Sequence, residues 1–155
     1  MRRILTSQLP GFPSGVFEGT ATFTPSNAFN KSAYLYHETG ILTTDQGVEL
    51  TASRKYIYRF SQEDDKLSTW FVKDVDGGDE VDYLYHELEF GYENNGWIAY
   101  HLCEKDVYRT YYDFRLNEAG TTLLRWGMKH KVTGPNKDYS SDTAYHRPGN
   151  SADSS

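Results

Sequence analysis

Between residues 15 and 24, Gly15, Phe17, Gly19, Ala21 and Phe23 alternate with Val16, Glu18, Thr20, Thr22 and Thr24. A period of two puts each set on its own face of a β-strand, and the apolar set reads as the buried face. Gly19 within that face predicts a sharp bend or the close approach of another backbone, as a curved wall needs. The same period recurs along the chain and predicts strands over residues 33–43, 50–60, 66–73, 81–90, 97–103, 106–116, 121–132 and 139–147. Turn chemistry separates them: Asp45-Gln46-Gly47, a charged turn at 61–65, a loop at 74–80 built on Gly77-Gly78, Asn94-Asn95-Gly96, Glu118-Ala119-Gly120, and Thr133-Gly134-Pro135-Asn136. Residues 1–14, broken by Pro10, Gly11 and Pro13, read as a leading arm or short helix. Residues 148–155 are polar, with Pro148 and Gly149, and read as a disordered tail.

No segment of ordinary length has a helical period. About nine strands joined by short turns predict an all-β chain: one antiparallel up-and-down barrel of 8–10 strands over residues 1–147. Closure removes the sheet edges and leaves an interior for side chains plus one small ligand.

Strand faces can be read in part. Over 50–60 the inward set is Leu50, Ala52, Arg54, Tyr56, Tyr58 and Phe60; over 81–90 it is Leu84, His86, Leu88 and Phe90. Over 33–43 the choice stays open between Tyr34, Tyr36 and Glu38 on one face and Leu35, His37 and Ile41 on the other. Over 106–116, Asp106, Tyr108, Thr110, Tyr112, Phe114 and Leu116 oppose Arg109, Asp113 and Arg115, so the first set points inward.

The turns then set the register. A turn at Glu104-Lys105 pairs Cys103 with Asp106 and His101 with Tyr108. Opposed residues share a face, so His101 and Cys103 also point inward. A three-residue loop at Glu118–Gly120 pairs Phe114 with Leu124, Tyr112 with Trp126 and Tyr108 with His130. Pairing Phe90 with Trp97 sets Leu88 against Ala99 and His86 against His101. The expected result is a polar row of His86, His101, Tyr108 and His130, with Cys103 and Asp106 near one end. Tyr112, Phe114, Leu124 and Trp126 form an apolar layer below it.

Composition agrees with a strand-built fold. The 155 residues include 13 Tyr, 8 Phe and 3 Trp, residue types that favour strands. A single cysteine allows no intrachain disulfide, and no apolar run follows Arg2 and Arg3, so a cytoplasmic protein without a secretory leader is expected. No stretch approaches the roughly 20 apolar residues of a membrane-spanning helix. The net charge of −6 opposes nonspecific binding to nucleic acid or anionic lipid, and Arg125, Lys129 and Lys131 read as a solvated strand face.

Three readings of the row stand. It can be the polar end of a small-molecule cavity with an aromatic floor. It can serve an enzyme in which a histidine is the general base and Tyr108 or Asp106 the acid or orienting group. Or it can fill a structural or partner-binding barrel with hydrogen-bonded pairs. Cys103 beside His101 is a candidate nucleophile, and equally a buried thiol. His86, His101 and His130 are the conceivable metal ligands, but no close-spaced ligand motif supports them, so no metal or cofactor is expected. The expected ligand contacts are Glu38, Arg54, His86, His101, Cys103, Asp106, Tyr108, Trp126 and His130. Arg54, inward among aromatics, is expected to pair with Glu38 or with an anionic headgroup. Arg147 is expected to close the barrel by packing on an aromatic of the 15–24 strand. Lys137 and Asp138 read as turn chemistry. Ligand identity and oligomeric state are left open.

Several motifs carry a resemblance: Gly15-x-Phe17-x-Gly19-x-Ala21-x-Phe23, Tyr36-x-Glu38-x-Gly40, His101-x-Cys103-x-x-Asp106-x-Tyr108, Gly134-Pro135-x-Lys137-Asp138-Tyr139 and Thr143-x-Tyr145-x-Arg147. Over nearly the whole chain they resemble a small uncharacterised family, domain of unknown function 6314, known from bacteria and fungi. That family implies no activity. More distantly, an early Gly-x-aromatic strand with a late Arg is similar to the signature of the calycins, the lipocalin and fatty-acid-binding barrels, which often have Trp where this chain has Phe17. The calycin resemblance implies a lipocalin-like barrel and, by analogy, small-ligand binding.

Overall fold

The alternation at 15–24 is realised as one stave of a closed ten-strand barrel. The structure, a computed structural model, describes residues 1–73, 80–91 and 96–147. The strands are β1 (Arg2–Ser7), β2 (Gly15–Ser26), β3 (Ala33–Thr44), β4 (Glu49–Ser61), β5 (Lys66–Val72), β6 (Val81–Gly91), β7 (Gly96–Cys103), β8 (Asp106–Leu116), β9 (Leu123–Thr133) and β10 (Asp138–His146). Each pairs antiparallel with its sequence neighbours, and β1 pairs with β10 to close the ring. The expected all-β up-and-down barrel is therefore the fold. Among the described residues, no helix is long and apolar enough to cross a membrane. Sequence expectations for the 74–79 part of the Gly77-Gly78 loop, for Asn94-Asn95 and for the 148–155 tail lie outside the described residues.

The tenth strand is β1, where a leading arm or short helix was expected. Its two faces are Arg3, Leu5 and Ser7 against Arg2, Ile4 and Thr6, and neither is consistently apolar, so periodicity does not reveal it. Only the neighbours distinguish the faces: Arg3 lies between Phe17 of β2 and Thr143 of β10.

Gly19 marks the close backbone approach that its position predicts. It pairs with Gly40 of β3, and a Cβ on either would fall 2.2 Å from a carbonyl oxygen, that of Thr39 or Glu18. Two glycines bring β2 and β3 closer than two side chains would allow.

The interior is divided along the barrel axis. At one end, inward side chains from β3, β6, β7, β8, β9 and β10 (Tyr36, Leu88, Ala99, Tyr112, Met128 and Tyr145) pack into a core, with Tyr58, Phe114 and Trp126 against it. Trp126 stacks on Tyr145 with ring centroids 3.8 Å apart. On the outside wall, Ile57 is fully buried although it points away from this core. The short 3-10 turn Ala28–Lys31 lays Phe29 against Trp70, and Arg59 stands over the Phe29 ring.

Three expected placements change. A bulge between β5 and β6 aligns Thr69 with His86 but Trp70 with Leu84, so Tyr85 is the extra residue. Tyr85 and His86, adjacent in sequence, are both buried, and Leu84 faces out, 39% exposed. The bulge reverses inside and outside along β6 as far as a second register shift between Trp70 and Val72. Second, the β8–β9 pairing is slipped by two residues from expectation: Phe114 faces Trp126, Tyr112 faces Met128, Thr110 faces His130 and Tyr108 faces Val132. The cause is a longer connection, in which the Asn117 side chain accepts hydrogen bonds from the backbone N–H groups of Thr121 and Thr122, and a register shift beside Leu116 leaves Leu124 exposed. Third, Arg147 is exposed; the guanidinium over the Phe17 ring is that of Arg3, 5.5 Å from its centroid.

Candidate functional site

At the end opposite the aromatic core the barrel opens into a cavity of about 440 Å³. It is open because the inward positions there are short: Ser7 of β1, Ala52 of β4, Cys103 of β7 and Ser141 of β10 all line it. Larger groups form its walls. Tyr56, Phe71 and Tyr85, on the consecutive strands β4, β5 and β6, touch ring to ring; Tyr56 and Tyr85 are stacked at 5.6 Å and Phe71 lies 4.8 Å from Tyr85. His101 continues this shelf, with its ring edge-on to Tyr85 at 4.9 Å and to Tyr108 at 5.7 Å. The β7–β8 register that carries His101 to Tyr108 is the expected one, Cys103 against Asp106 and His101 against Tyr108, with Glu104 at positive φ in the turn.

The cavity floor is an ion pair. Arg3 donates from both terminal nitrogens to the two carboxylate oxygens of Glu38 at 2.7 Å, and its Nε donates to Thr143. The Tyr36 hydroxyl donates to Glu38, and its oxygen lies 2.8 Å from the Tyr145 hydroxyl, which must then be the donor. Burial disfavours the Glu38 carboxylate. The Arg3 hydrogen bonds and charge, followed by the Tyr36 hydroxyl and the charge of Arg54, outweigh it and hold the pKa below the ordinary value. Burial likewise opposes the Arg3 guanidinium, and Glu38 overcomes it. The expectation that Arg54 pairs with Glu38 is thus corrected. Arg54 does face Glu38 across the β3–β4 ladder, but the carboxylate is taken by Arg3, whose strand was not recognised.

Of the nine expected contacts, Glu38, Arg54, His101, Cys103, Tyr108 and His130 line the cavity. Arg54 is exposed towards it and, among the described residues, has no carboxylate at ion-pairing distance. Three do not line it. Trp126 belongs to the closed end, stacked on Tyr145, because the two-residue slip moves β9 along β8. His86 sits behind Tyr85, its Nε2 hydrogen-bonded to the Tyr112 hydroxyl at 2.9 Å, because the bulge gives the cavity-facing position to Tyr85. Asp106 is buried under Gly134, where a Cβ would collide with it, and accepts a hydrogen bond from the Asn136 backbone N–H. The row of four is therefore split: His101 and Tyr108 adjoin at the cavity, His130 binds Thr110 at 2.8 Å, and His86 lies deeper. Among the described residues no group of three His, Cys, Asp or Glu is arranged to hold a metal.

His86 and His130 are neutral at ordinary pH. Burial, then the neighbouring His130 and His101, pushes His86 down to about 3. Burial, then the charges of Arg3 and Arg54, does the same to His130.

Sequence reasoning missed Lys137, which donates from Nζ to the Tyr108 hydroxyl at 2.7 Å and lines the cavity. That hydrogen bond is the main influence raising the pKa of this lysine. The available signal was the turn Gly134-Pro135, which delivers Lys137 to the open rim just before β10. Tyr85 was missed as a cavity wall because nothing local announces the bulge; Phe71, opposite Tyr56 in regular register, was missed because neither face of the 66–73 strand was chosen as inward. The outer wall also has a shallow groove along β7–β10 and β1, near Ile4, Ile98 and Tyr111.

A family model, the Family of unknown function (DUF6314), matches residues 1–147, and the chain belongs to that family. No curated protein and no solved structure gave a match.

Proposed function

We propose that this DUF6314 barrel binds a small, partly polar molecule in its open end. The observation supporting this is the cavity of about 440 Å³, walled by rings and lined by the polar groups Arg54, His101, Tyr108 and Lys137. Binding sites for small molecules have that volume and that mixture. A barrel filled only for stability would place large side chains at Ser7, Ala52, Cys103 and Ser141, as the opposite end does with Tyr58 of β4 and Tyr145 of β10.

Native mass spectrometry of the purified full chain, beside its denatured mass, tests the reading. The expected result is an added mass lost on denaturation, or a mass gained on incubation with a small-molecule library. Ala52→Trp, which fills the cavity, abolishes that mass. Identical binding by wild type and Ala52→Trp would place the ligand elsewhere.

A second reading is catalytic and rests on His101. It lines the cavity beside Tyr108 and, unlike His86 and His130, makes no hydrogen bond among the described residues. A general base must be free to reach substrate and to titrate near neutrality, which disfavours the two histidines held near pKa 3. Turnover with a bell-shaped pH profile, lost in His101→Gln while binding persists, is the signature of this reading.

A further inference from the structure

Among the described residues, the charged groups lining the cavity are Arg3, Glu38, Arg54 and Lys137. Arg3 and Glu38 neutralise each other through two hydrogen bonds. That leaves two cations, and among the described residues neither has a carboxylate partner. The imbalance occurs inside a chain whose net charge is −6, so it is a local feature of the cavity and not a reflection of the whole surface.

The two cations are placed relative to the rings. Arg54 lies two residues from Tyr56 on the same face of β4, at one end of the ring shelf Tyr56–Phe71–Tyr85–His101–Tyr108. Lys137 contacts Tyr108 at the other end. Both act on Tyr139: burial and Tyr108 raise the pKa of this phenol, while the charges of Arg54 and Lys137 oppose the rise. Arg54, Lys137 and Tyr139 all line the same cavity. Flat rings present faces and edges to another ring, and cations in a low-dielectric concavity concentrate an anion there.

We infer that the cavity takes a flat organic anion: an aromatic ring laid on the Tyr56–Phe71–Tyr85 shelf, with its negative charge met by the cations Arg54 and Lys137 that line the same cavity. The inference rests on the small-molecule reading above and specifies its ligand class. Arg54 supplies a planar fork suited to two acid oxygens. Lys137 supplies a point charge and keeps the Tyr108 hydroxyl as a neighbour.

The test is a titration of the full chain with three matched probes: 2-naphthoate, 2-naphthyl phosphate and the neutral 2-naphthamide, read by calorimetry or probe fluorescence. At least one anion is expected to bind about tenfold or more tightly than the amide, the size of one charge-assisted hydrogen bond gained. Arg54→Gln and Lys137→Gln each reduce anion affinity roughly tenfold and leave amide affinity within about twofold. Both positions are solvent-reachable, and an unchanged melting temperature confirms that the variants fold. Displacement of the bound anion by inorganic phosphate assigns a phosphate-bearing ligand; failure to displace it assigns a carboxylate. Equal affinity for naphthoate, naphthyl phosphate and naphthamide overturns the anion inference but leaves the small-molecule reading standing. Equal losses for all three probes in the Gln variants do the same. Binding of none of them overturns the inference, and if Ala52→Trp also leaves every library hit unchanged the cavity reading falls with it.

Discussion

The two ends of the barrel are built from the same strands and differ in what those strands point inward. Towards the closed end, β3, β4, β8, β9 and β10 contribute Tyr36, Tyr58, Tyr112, Trp126 and Tyr145, and their rings stack or meet edge-on, leaving a void of only about 10 Å³. Towards the open end, β1, β4, β7 and β10 contribute Ser7, Ala52, Cys103 and Ser141, and a cavity results. Strand count sets how wide the barrel is; side-chain volume decides whether a given layer is core or cavity. The contrast extends to charge. Arg3, between the ends, is buried and held at both terminal nitrogens by Glu38, whereas Arg54, one strand beyond Glu38, is exposed and among the described residues has no carboxylate at ion-pairing distance. One arginine is tied into a buried ion pair; the other stands at the cavity beside Tyr56.

The strongest way to break that contrast is at the buried pair. Arg3→Met or Glu38→Leu alone leaves an uncompensated buried charge and is expected to cost about 3–5 kcal/mol in chemical denaturation. The double variant recovers most of it. A double variant as unstable as either single one would mean that the pair is needed for more than mutual neutralisation.

Acid should also act on this middle layer before it acts on the carboxylates. His86 and His130 are held at about 3 in the folded state, against an ordinary value of 6.5. The unfolded chain therefore takes up protons first, and stability that is complete above pH 6.5 is lost as pH falls towards 3. The loss amounts to a few kcal/mol if both imidazoles stay dry. Glu38, also depressed, adds a loss of the same sign below its ordinary value of 4.5. Denaturation at a series of pH values should show stability declining already between pH 6.5 and 4.5, less steeply in His86→Gln and His130→Gln. A flat profile over that window would show that water reaches both rings.

A smaller cost is expected at the β2–β3 contact. Gly19→Ala places a Cβ 2.2 Å from the Thr39 oxygen, and separating the strands should cost about 1–3 kcal/mol. Thermal melts will report it, and a neutral result would mean that the two strands part freely. The smallest effect sharpens the comparison most. Arg54→Gln should change stability by no more than about 1 kcal/mol, because among the described residues it loses only a hydrogen bond to Tyr56 and a charge acting on Glu38, while its effect on anion binding is large.

Much of the fold was legible because period-two alternation survives wherever one face of a strand is consistently apolar. That reveals β2 and β4, and Gly19 inside β2 announces the close approach to Gly40. The His101–Tyr108 register followed from a two-residue turn that leaves little choice. β1 was illegible because Arg2 and Arg3 occupy opposite faces, so no polarity contrast marks the inside. That one omission also misassigned the partner of Glu38. The candidate site was readable to the extent that inward parity was: Arg54, His101, Cys103, Tyr108 and His130 all reach the cavity.

What remains divides along a physical line. The sequence by itself determined an antiparallel β-barrel, the inward faces of most strands and the residue types that meet inside, because these depend on local period and on turns of a few residues. Tertiary structure alone decided the bulge that brings Tyr85 rather than His86 to the cavity and the two-residue slip that sends Trp126 to the core. It also decided the closure that delivers Arg3 to Glu38. Each of these depends on how far one strand slides or kinks against its neighbours, and the packing of the finished ring determines it rather than any local stretch of the chain.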